Sequence, residues 1–365
     1  MLTYFYTKQA KQYDKIKKIL LTDFNLQVMK NLVLLVTLLL PFRFIAIAQP
    51  PIYKNLALDG GGVRGFAYAG AFEVLDSMGI LQNVERVGGT SAGAIQATLL
   101  AIGYSPKEIM AVAANIPLKE FNDGFFPGGF SRLNRKFGFF KGEKLTVWIE
   151  QLILAKTGNS NITFLQLHEL RLQKNYKDLY ITGTDLTHRC LRVFDYESYP
   201  NMRIKDAVRI SFSIPLYFEP VIIDDAGKIQ HDKNNMNFHV MVDGGLLSNY
   251  PIHIFDSTKY INPDSSINMY QQNKFTLGLL LDKPEQFHYK QPGNYPLPIH
   301  TLNGYVTAVY QTIIDKPNPD DNSLKRTITI SHLNLSGRVR KLSPATIKRL
   351  VESGRQGVRL FFKQE

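Results

Sequence analysis

The sequence predicts an α/β fold with a parallel sheet, and three glycine-rich turns carry that prediction. Two of the turns each follow a short apolar segment and precede a helical pattern; they begin after Leu58 and after Val87. The third follows an apolar segment that ends at Val242. The order strand, glycine turn, helix, when it repeats, is typical of parallel sheets, because the helix returns the chain to the starting edge.

The composition agrees with one large globular domain. The 365 residues are 44% hydrophobic and 20% charged, which is sufficient for a core without metals or disulfides. The single cysteine, Cys190, excludes an intrachain disulfide, and no cysteine–histidine group has zinc-site spacing. The formal net charge is +12, and a moderately basic body suits an anionic membrane surface or nucleic acid, although charge alone favours a solvated basic surface.

The first element of interest is a secretory signal that begins at an internal methionine. Residues 29–48 start with Met29 and Lys30, continue with an apolar run over 32–40 and end in small residues. We expect Met29 to be the natural start and cleavage near Ala48 to export the protein to the periplasm, the outer surface or the medium. The alternative is an uncleaved anchor through residues 32–48, which is short for a span that needs about 20 apolar residues.

The first strand and its turn form a candidate anion site. Residues 55–58 read as a buried strand, and the sequence GGGVRG follows over residues 60–65. Consecutive glycines let backbone N–H groups converge on one point, which binds an anion. The site is therefore either an oxyanion hole for acyl transfer or a phosphate cradle, since the glycine spacing also matches the dinucleotide fingerprint.

The oxyanion alternative is favoured over the nucleotide one. A dinucleotide site requires an acid about 20 residues further on, at the end of a second strand. Glu85 lies near that distance, but it precedes the next glycine turn instead of closing a strand. Arg64 within the loop has three candidate roles: stabilising the loop, stabilising developing negative charge, or forming a surface ion pair.

The second strand leads to a candidate nucleophile. A helical pattern over 66–78 is followed by a predicted strand over 84–87 and then by Gly-Gly-Thr-Ser-Ala-Gly. Ser91 thus stands on a turn between a strand and a helix, where its hydroxyl projects from the backbone. The small residues Gly89 and Gly93 leave room for that turn. The motif alone is weak, but this structural context is the one that a serine nucleophile requires.

The third glycine turn offers a candidate base. Further strands are predicted over 180–184 and 238–242, and Asp243-Gly244-Gly245 follows the second of them. We expect Asp243 to lie at the carboxyl end of its strand, where α/β folds place their sites. An ordinary Asp-Gly turn is the alternative.

Together with a fourth segment, these turns resemble the patatin-like phospholipase family. The fourth segment is residues 209–215, RISFSIP, with Phe-Glu-Pro-Val behind it, at the family's interval before the Asp-Gly-Gly turn. The resemblance covers residues 56–281, and four motifs in order are a specific signal. It implies a three-layer α/β/α sandwich with a mainly parallel central sheet, the fold of lysophospholipases and of acyltransferases of the FabD type.

The resemblance also implies the chemistry. Ser91 is the nucleophile and Asp243 the general base of a Ser-Asp dyad, and Gly60, Gly61 and Gly62 form the oxyanion hole. The reaction is hydrolysis of lipid carboxylic esters, as by a phospholipase A or lysophospholipase, through an acyl-enzyme; it uses no metal and no organic cofactor. The expected supporting residues are Arg64, Gly65, Gly89, Gly93, Gly244 and Gly245.

A Ser-His-Asp triad is the alternative mechanism, with a histidine downstream of the acid. None of the downstream histidines lies in a recognisable loop motif, so a structural or surface role is favoured for each. They are His253, His288, His300 and His332.

A phenylalanine-rich segment is the candidate lipid contact. Residues 121–141 hold seven phenylalanines interleaved with four basic residues, a composition that suits a lipid–water interface. The same composition suits stacking on single-stranded nucleic acid, and buried aromatics covering the core are as compatible as a lid or acyl channel. With the serine site in view, we expect lipid or phospholipid as substrate and a membrane surface as partner, and no nucleic acid.

The predicted organisation has three parts. Residues 1–48 are the extension with its signal or anchor, 49–283 the catalytic domain, and 284–365 a C-terminal extension packed on the same domain. Four prolines in 284–300 indicate a long loop, and Ser343 is predicted to cap a last helix. The leading hypothesis is an enzyme that hydrolyses lipid acyl esters, with a broad carboxylesterase or lysophospholipase as a close variant. A catalytically idle lipid-binding surface protein is the alternative, and a nucleotide-binding protein is a distant fourth.

Overall fold

The structure is a computed structural model that describes residues 11–19, 21–22, 25, 27–31, 52–124, 128–230, 238–262, 268–282, 299–300, 305, 308–310, 312–313, 319–337 and 339–363. The chain forms two units, residues 1–49 and 50–365. In the first unit, residues 11–19 and 27–31 are helical and exposed. The predicted signal or anchor over 32–48 lies outside the described residues. Within the described part, no helix has both the length and the apolar composition of a membrane span.

The second unit alternates strands and helices. The strands are β1 Asn55–Leu58, β2 Arg86–Gly89, β3 Gly138–Phe140, β4 Asp178–Asp185, β5 Cys190–Phe194, β6 Leu216–Phe218, β7 Val221–Ile223, β8 His239–Asp243, β9 Thr276–Asp282 and β10 Thr327–Ser331. The helices are α1 Ala67–Ser77, α2 Ala92–Ala101, α3 Pro106–Ala114, α4 Gly129–Lys136, α5 Glu143–Thr157, α6 Phe164–Lys174, α7 Ile204–Ser211, α8 Gly245–Ser248, α9 Thr258–Ile261, α10 Asp321–Leu324 and α11 Pro344–Phe361. Short 3-10 turns cover Gly62–Phe66, Leu81–Asn83 and Ile252–Phe255.

The central sheet is mainly parallel. Its strand order is β10-β9-β1-β2-β4-β8-β7, and β5 also pairs with β4. Strands β10, β9, β1, β2 and β4 run parallel, whereas β8 and β5 run antiparallel to β4, and β7 runs antiparallel to β8. Strand β1 is buried along its whole length, α1 packs on α11, and α7 packs on β4 and β8. The predicted α/β fold class is confirmed.

Two predicted elements have different boundaries in the structure. The helix predicted over 66–78 begins as a 3-10 turn and is α-helical only from Ala67 to Ser77. The second strand covers 86–89 instead of 84–87, because it includes both glycines. A Cβ on Gly88 would lie 2.3 Å from Ile254 Cδ1, so glycine marks a close approach inside the strand, not its end.

The C-terminal part also contributes to the sheet. Strand β10 pairs with β9, and α11 begins where predicted, with the Ser343 side chain accepting the Thr346 N–H at 3.1 Å. Most of the predicted loop 284–300, including His288, lies outside the described residues.

Candidate active site

Ser91 joins β2 to α2 in a backbone conformation that few residues adopt. Its φ of 52° and ψ of −118° are outside the regions preferred by L-residues, a strain that marks functional turns. The flanking glycines are sterically required: a Cβ on Gly89 would lie 2.4 Å from the Gly93 carbonyl carbon, and one on Gly93 would lie 2.4 Å from Leu58 O. The turn therefore holds the serine at the positive end of helix α2.

Strand β8 brings Asp243 level with Ser91 because it runs antiparallel. Gly89 of β2 pairs with Ile181 of β4, and Gly183, two residues later in β4, pairs with Asp243. Ser91 lies two residues beyond Gly89, so both candidates stand at the same height of the sheet. Asp243 is the last residue of β8, as predicted, but β8 runs antiparallel to its neighbour β4.

The Asp243 carboxyl is completely buried. Burial raises its pKa to about 7, while the Gly245 N–H and the nearby hydroxyls of Ser91 and Tyr310 act in the lowering direction. Oδ1 accepts the Gly245 N–H at 2.8 Å. No described residue donates to Oδ2 with hydrogen-bond geometry in this conformation. A carboxyl that ionises near neutral pH and keeps an open oxygen can accept a proton.

The segment 209–215 holds both candidates. The Ser91 N–H donates to Ser211 Oγ at 2.9 Å. The Asp243 N–H donates to Ser213 O, also at 2.9 Å. One short segment therefore fixes the backbone of the serine and the backbone of the acid relative to each other.

Arg209 braces that segment from inside the core. Its guanidinium donates to Ser213 Oγ, to Lys141 O at 2.5 Å and to Glu219 O at 2.9 Å. Burial lowers its pKa to about 10, which still leaves it charged at neutral pH. The arginine at the start of the fourth sequence motif is thus a structural anchor for the turn that carries Ser211 and Ser213.

The glycine loop after β1 offers two free amides instead of three. The Gly60 N–H donates to Asn249 O at 3.0 Å, and Asn249 Nδ2 returns a bond to Gly60 O at 3.0 Å. Gly60 is therefore a correction to the predicted oxyanion hole, because its amide fastens the loop. Within the described part of the chain, no acceptor takes the N–H of Gly61 or of Gly62.

Arg64 stabilises this loop. Its side chain is buried, and Nε donates to Gly61 O at 3.1 Å, as its own backbone N–H does at 3.0 Å. The surface ion pair considered for Arg64 is therefore wrong. Gly65 lets the loop approach helix α2, since a Cβ there would lie 3.1 Å from Ala92 Cβ.

Comparison with known proteins decides the family. The family model described as patatin-like phospholipase matches residues 56–256. The chain is a member of this family. It is 37% identical over 205 residues to an uncharacterized protein of Acanthamoeba polyphaga mimivirus, covering 56% of this chain and 61% of that protein. It is 30% identical over 215 residues to "Probable lipid hydrolase 463L" of Invertebrate iridescent virus 6, covering 59% and 66%.

The matched region thus spans about two thirds or less of these relatives. The solved structure of VipD from Legionella pneumophila has a TM-score of 0.54 and 16% identity, covering 86% of this chain and 67% of that one. At that identity the likeness concerns the fold alone. The patatin-like fold and the membership of a family of lipid hydrolases are therefore shown, and the reaction of this chain is a separate question.

Two residues of this patatin-like site were not predicted. Asn249 ties the glycine loop to the acid turn, since Nδ2 also donates to Asp59 Oδ1 at 2.8 Å. Tyr310 stands against that turn: a Cβ on Gly245 would lie 3.0 Å from its hydroxyl, and burial raises the pKa of that hydroxyl. Asn249 follows the Asp-Gly-Gly turn closely enough for sequence to indicate it, but no local motif marks Tyr310.

The triad alternative finds no histidine in the described site. Among the described residues, no histidine makes a hydrogen bond with Ser91 or Asp243. His253 pairs with Asp256 at 2.8 Å instead, and His332 is buried with its backbone N–H on Asp282 O.

One group of described side chains has metal-ligand geometry. Asp185, His188 and His239 each place a ligand atom within 4.8 Å of the others. Asp185 Oδ2 already accepts from both imidazoles, at 3.0 Å and 2.7 Å, and from Arg192 at 3.2 Å. The arginine charge beside the shared oxygen opposes a cation, so this group is a hydrogen-bonded network that ties β8 to the β4–β5 turn.

The phenylalanine-rich segment is divided between core and surface. Phe121 is buried against Trp148, with ring centroids 5.4 Å apart, and Phe139 is also buried. Phe130 and Phe137 are exposed by 67% and 54%. The buried-aromatic interpretation is therefore correct for the first pair, whereas the second pair is exposed at the surface.

The glycine loop yields a test of the two free amides. Gly62 has φ +54°, and a Cβ there would lie 1.8 Å from Gly337 O. Gly62→Ala should displace the loop and reduce kcat/KM for a soluble ester by about 100-fold or more, the usual effect of losing one oxyanion donor.

Gly158→Ala is the matched control, because Gly158 has φ +75° with open space around it. This control variant should lose about 1 kcal/mol of stability and no activity. Equal activity in both variants would contradict this role for the loop.

Proposed function

We propose that the protein hydrolyses carboxylic esters of lipids through an acyl-enzyme on Ser91, with Asp243 as general base. One observation carries the proposal: a strained serine and a buried carboxyl with a pKa of about 7 are held by the same segment, 209–215. Perturbed ionisation next to a strained nucleophile is a combination that structural packing alone does not require.

The proposed steps balance without a cofactor. Asp243 accepts the proton of the Ser91 hydroxyl as the oxygen attacks the ester carbonyl carbon. The amides of Gly61 and Gly62 donate to the resulting oxyanion, each worth about 3–4 kcal/mol in comparable sites. The carbonyl re-forms, the ester C–O bond breaks, and the protonated Asp243 returns the proton to the leaving alcohol. Water, deprotonated by Asp243, then attacks the acyl-enzyme; the bond between the acyl carbon and Ser91 Oγ breaks, Asp243 returns the proton to Ser91 Oγ, and the carboxylic acid is released.

An apolar cavity beside the serine favours acyl esters as substrates. It is lined by residues that include Gly62, Gly65, Ala92, Ile95, Leu99 and Trp148, and it has a volume of about 40 Å³. Ala92 and Leu99 lie on the same helix as the serine turn and about 10 Å apart along its axis.

Two expectations complete the proposal. Export with cleavage near Ala48 would place the enzyme among extracytoplasmic lipids, and contact with a membrane surface would supply its substrate. Covalent bond formation at Ser91 distinguishes the enzyme from the idle lipid-binding alternative, because an idle protein binds lipid without forming such a bond.

A fluorophosphonate probe tests the proposal directly. The purified chain should hydrolyse p-nitrophenyl butyrate, and the probe should abolish that activity while adding one adduct to the peptide that contains Ser91. Mass spectrometry of the digest locates the adduct, and product analysis with mixed phospholipids then defines the substrate. An unmodified Ser91 in a folded protein that binds lipid would support the idle alternative.

A further inference from the structure

Two bulky apolar residues stand exposed in backbone conformations that favour glycine. Phe137 follows the last residue of α4 at φ +64°, and Leu216 begins β6 at φ +65°. The two are 54% and 45% exposed. The left-handed conformation costs a non-glycine residue about 1–2 kcal/mol, and exposure forgoes the gain from burial. The bond from the Phe137 N–H to Leu133 O accounts for the left-handed turn that ends α4, but not for the exposure of the two side chains.

These residues share one apolar depression. A cavity of about 310 Å³ is lined by Phe137, Leu186 and Leu216, with Pro215, Phe218 and Val240 among its walls. Strands β3 and β6 meet there, since Gly138 pairs with Leu216. Leu186, in the turn after β4, is 43% exposed. We name the exposed residues Phe137, Leu186 and Leu216, together with Phe130, the apolar face. Phe130 lies outside the cavity, at the start of α4, and its ring centroid is 5.7 Å from that of Phe139.

Basic residues lie beside the apolar face. Helix α4 carries Arg132, Arg135 and Lys136 and no acidic residue. Glu219 neutralises part of this charge, through Arg132 at 2.8 Å and Lys136 at 3.8 Å. Arg135 is exposed on α4, and Arg189 is exposed three residues after Leu186. Exposed apolar side chains beside cations are the chemistry that inserts into the headgroup region of an anionic bilayer.

We infer that the apolar face docks the protein on an anionic lipid bilayer. The inference rests on the proposed function, because a lipid ester hydrolase must meet its substrate at such a surface. The face is also connected to the site: Pro215 in its cavity lies two residues beyond Ser213, whose carbonyl accepts the Asp243 N–H. A second copy of the chain is the competing occupant, since an exposed apolar patch also marks protein interfaces.

Vesicle co-sedimentation of the full chain tests the face. Vesicles of phosphatidylcholine with about 30% phosphatidylserine should bind the protein more tightly than vesicles of pure phosphatidylcholine. High salt should reduce this difference in binding, because it screens the charges. The double variant Phe130→Ser/Phe137→Ser should weaken vesicle binding by at least about tenfold, because two aromatic side chains no longer insert into the bilayer. Arg135→Glu should weaken it by about fivefold or more, the worth of a single charge.

Helix α6 provides matched controls on another surface. Leu172, which is 87% exposed, is the control for the apolar test residues, and the exposed Lys174 is the control for Arg135. Leu172→Ser and Lys174→Glu should bind vesicles as the parent does. Residues 1–49 are identical in every variant, so differences between variants report on the second unit.

A local probe makes the result independent of any other lipid contact. In a Cys190→Ser background, the emission of an environment-sensitive dye on Asn134→Cys of α4 should shift to the blue on vesicle binding, and that of the same dye on Gln173→Cys of α6 should not.

Absence of the shift at position 134, or equal binding by all variants, would overturn the inference. Monomerisation of a dimeric parent by Phe130→Ser/Phe137→Ser, without a vesicle effect, would identify a protein interface instead. Hydrolysis of p-nitrophenyl butyrate, measured in parallel, separates these failures from failure of the proposed chemistry.

Discussion

Ser91→Ala should reduce kcat/KM for p-nitrophenyl butyrate by at least about 10⁴-fold, because removing a serine nucleophile costs about 10⁶ in kcat in a comparable enzyme. The fold should persist. Alanine meets the same strain at φ 52° that serine does, and the Ser91 N–H keeps its bond to Ser211 Oγ. Steady-state kinetics and thermal unfolding on the same preparation make the measurement.

A buried serine elsewhere serves as the control for this variant. Ser353 on α11 is buried and donates to Ser331 O at 2.7 Å. Ser353→Ala should lower the melting temperature and leave kcat/KM within about twofold, since a lost hydrogen bond typically costs about 1 kcal/mol of stability. Substantial turnover by Ser91→Ala, above contaminants, would end the nucleophile assignment.

Asp243→Asn should reduce kcat/KM by about 10²–10⁴-fold, the usual contribution of a general base. In the unsubstituted protein, kcat/KM should rise with pH through about 7 and level off above it. The reason is that only the carboxylate accepts a proton, and burial raises the Asp243 pKa to about 7. The measurement is a pH profile of ester hydrolysis from pH 5 to pH 9, roughly the range around that pKa.

Asp195→Asn is the matched control for the pH profile. Asp195 is also buried, and burial raises its pKa as well, but its carboxylate accepts the backbone N–H groups of its own turn. Its replacement should leave the profile unchanged. A profile without an ascending limb near neutrality would show that Asp243 is not the base.

Ionisation of Asp243 should favour catalysis but lower the free energy of unfolding. Because the pKa of Asp243 is raised on folding, from 3.8 to about 7, the folded state binds the proton more tightly than the unfolded state. The stabilisation is complete below the unfolded pKa and is lost as pH rises toward about 7. Asp243→Asn should therefore gain on the order of a few kcal/mol relative to the parent between pH 4 and pH 8, by urea unfolding. If the difference in the free energy of unfolding between Asp243→Asn and the parent stays the same from about pH 4 to pH 8, the pKa of Asp243 is not raised by folding.

The sequence alone determined the local geometry of the site. A glycine-flanked serine between an apolar strand and a helix can fold in few ways, since the neighbouring residues restrict the backbone through contacts a few positions apart. Strand β1, the turn at Ser91 and the Ser343 cap were predictable for that reason. The fourth motif was predictable as a family segment but not as the brace that binds both Ser91 and Asp243.

Only the tertiary structure decided which groups remain free and which face water. The direction of β8, the use of the Gly60 amide by Asn249 and the approach of Tyr310 to Asp243 depend on residues far apart in the chain. The exposure of Phe137 and the burial of Phe139, two positions away, depend on how β3 meets β6. Hydrogen-bond partners, desolvation and exposure are properties of the assembled surroundings, so no local pattern specifies them.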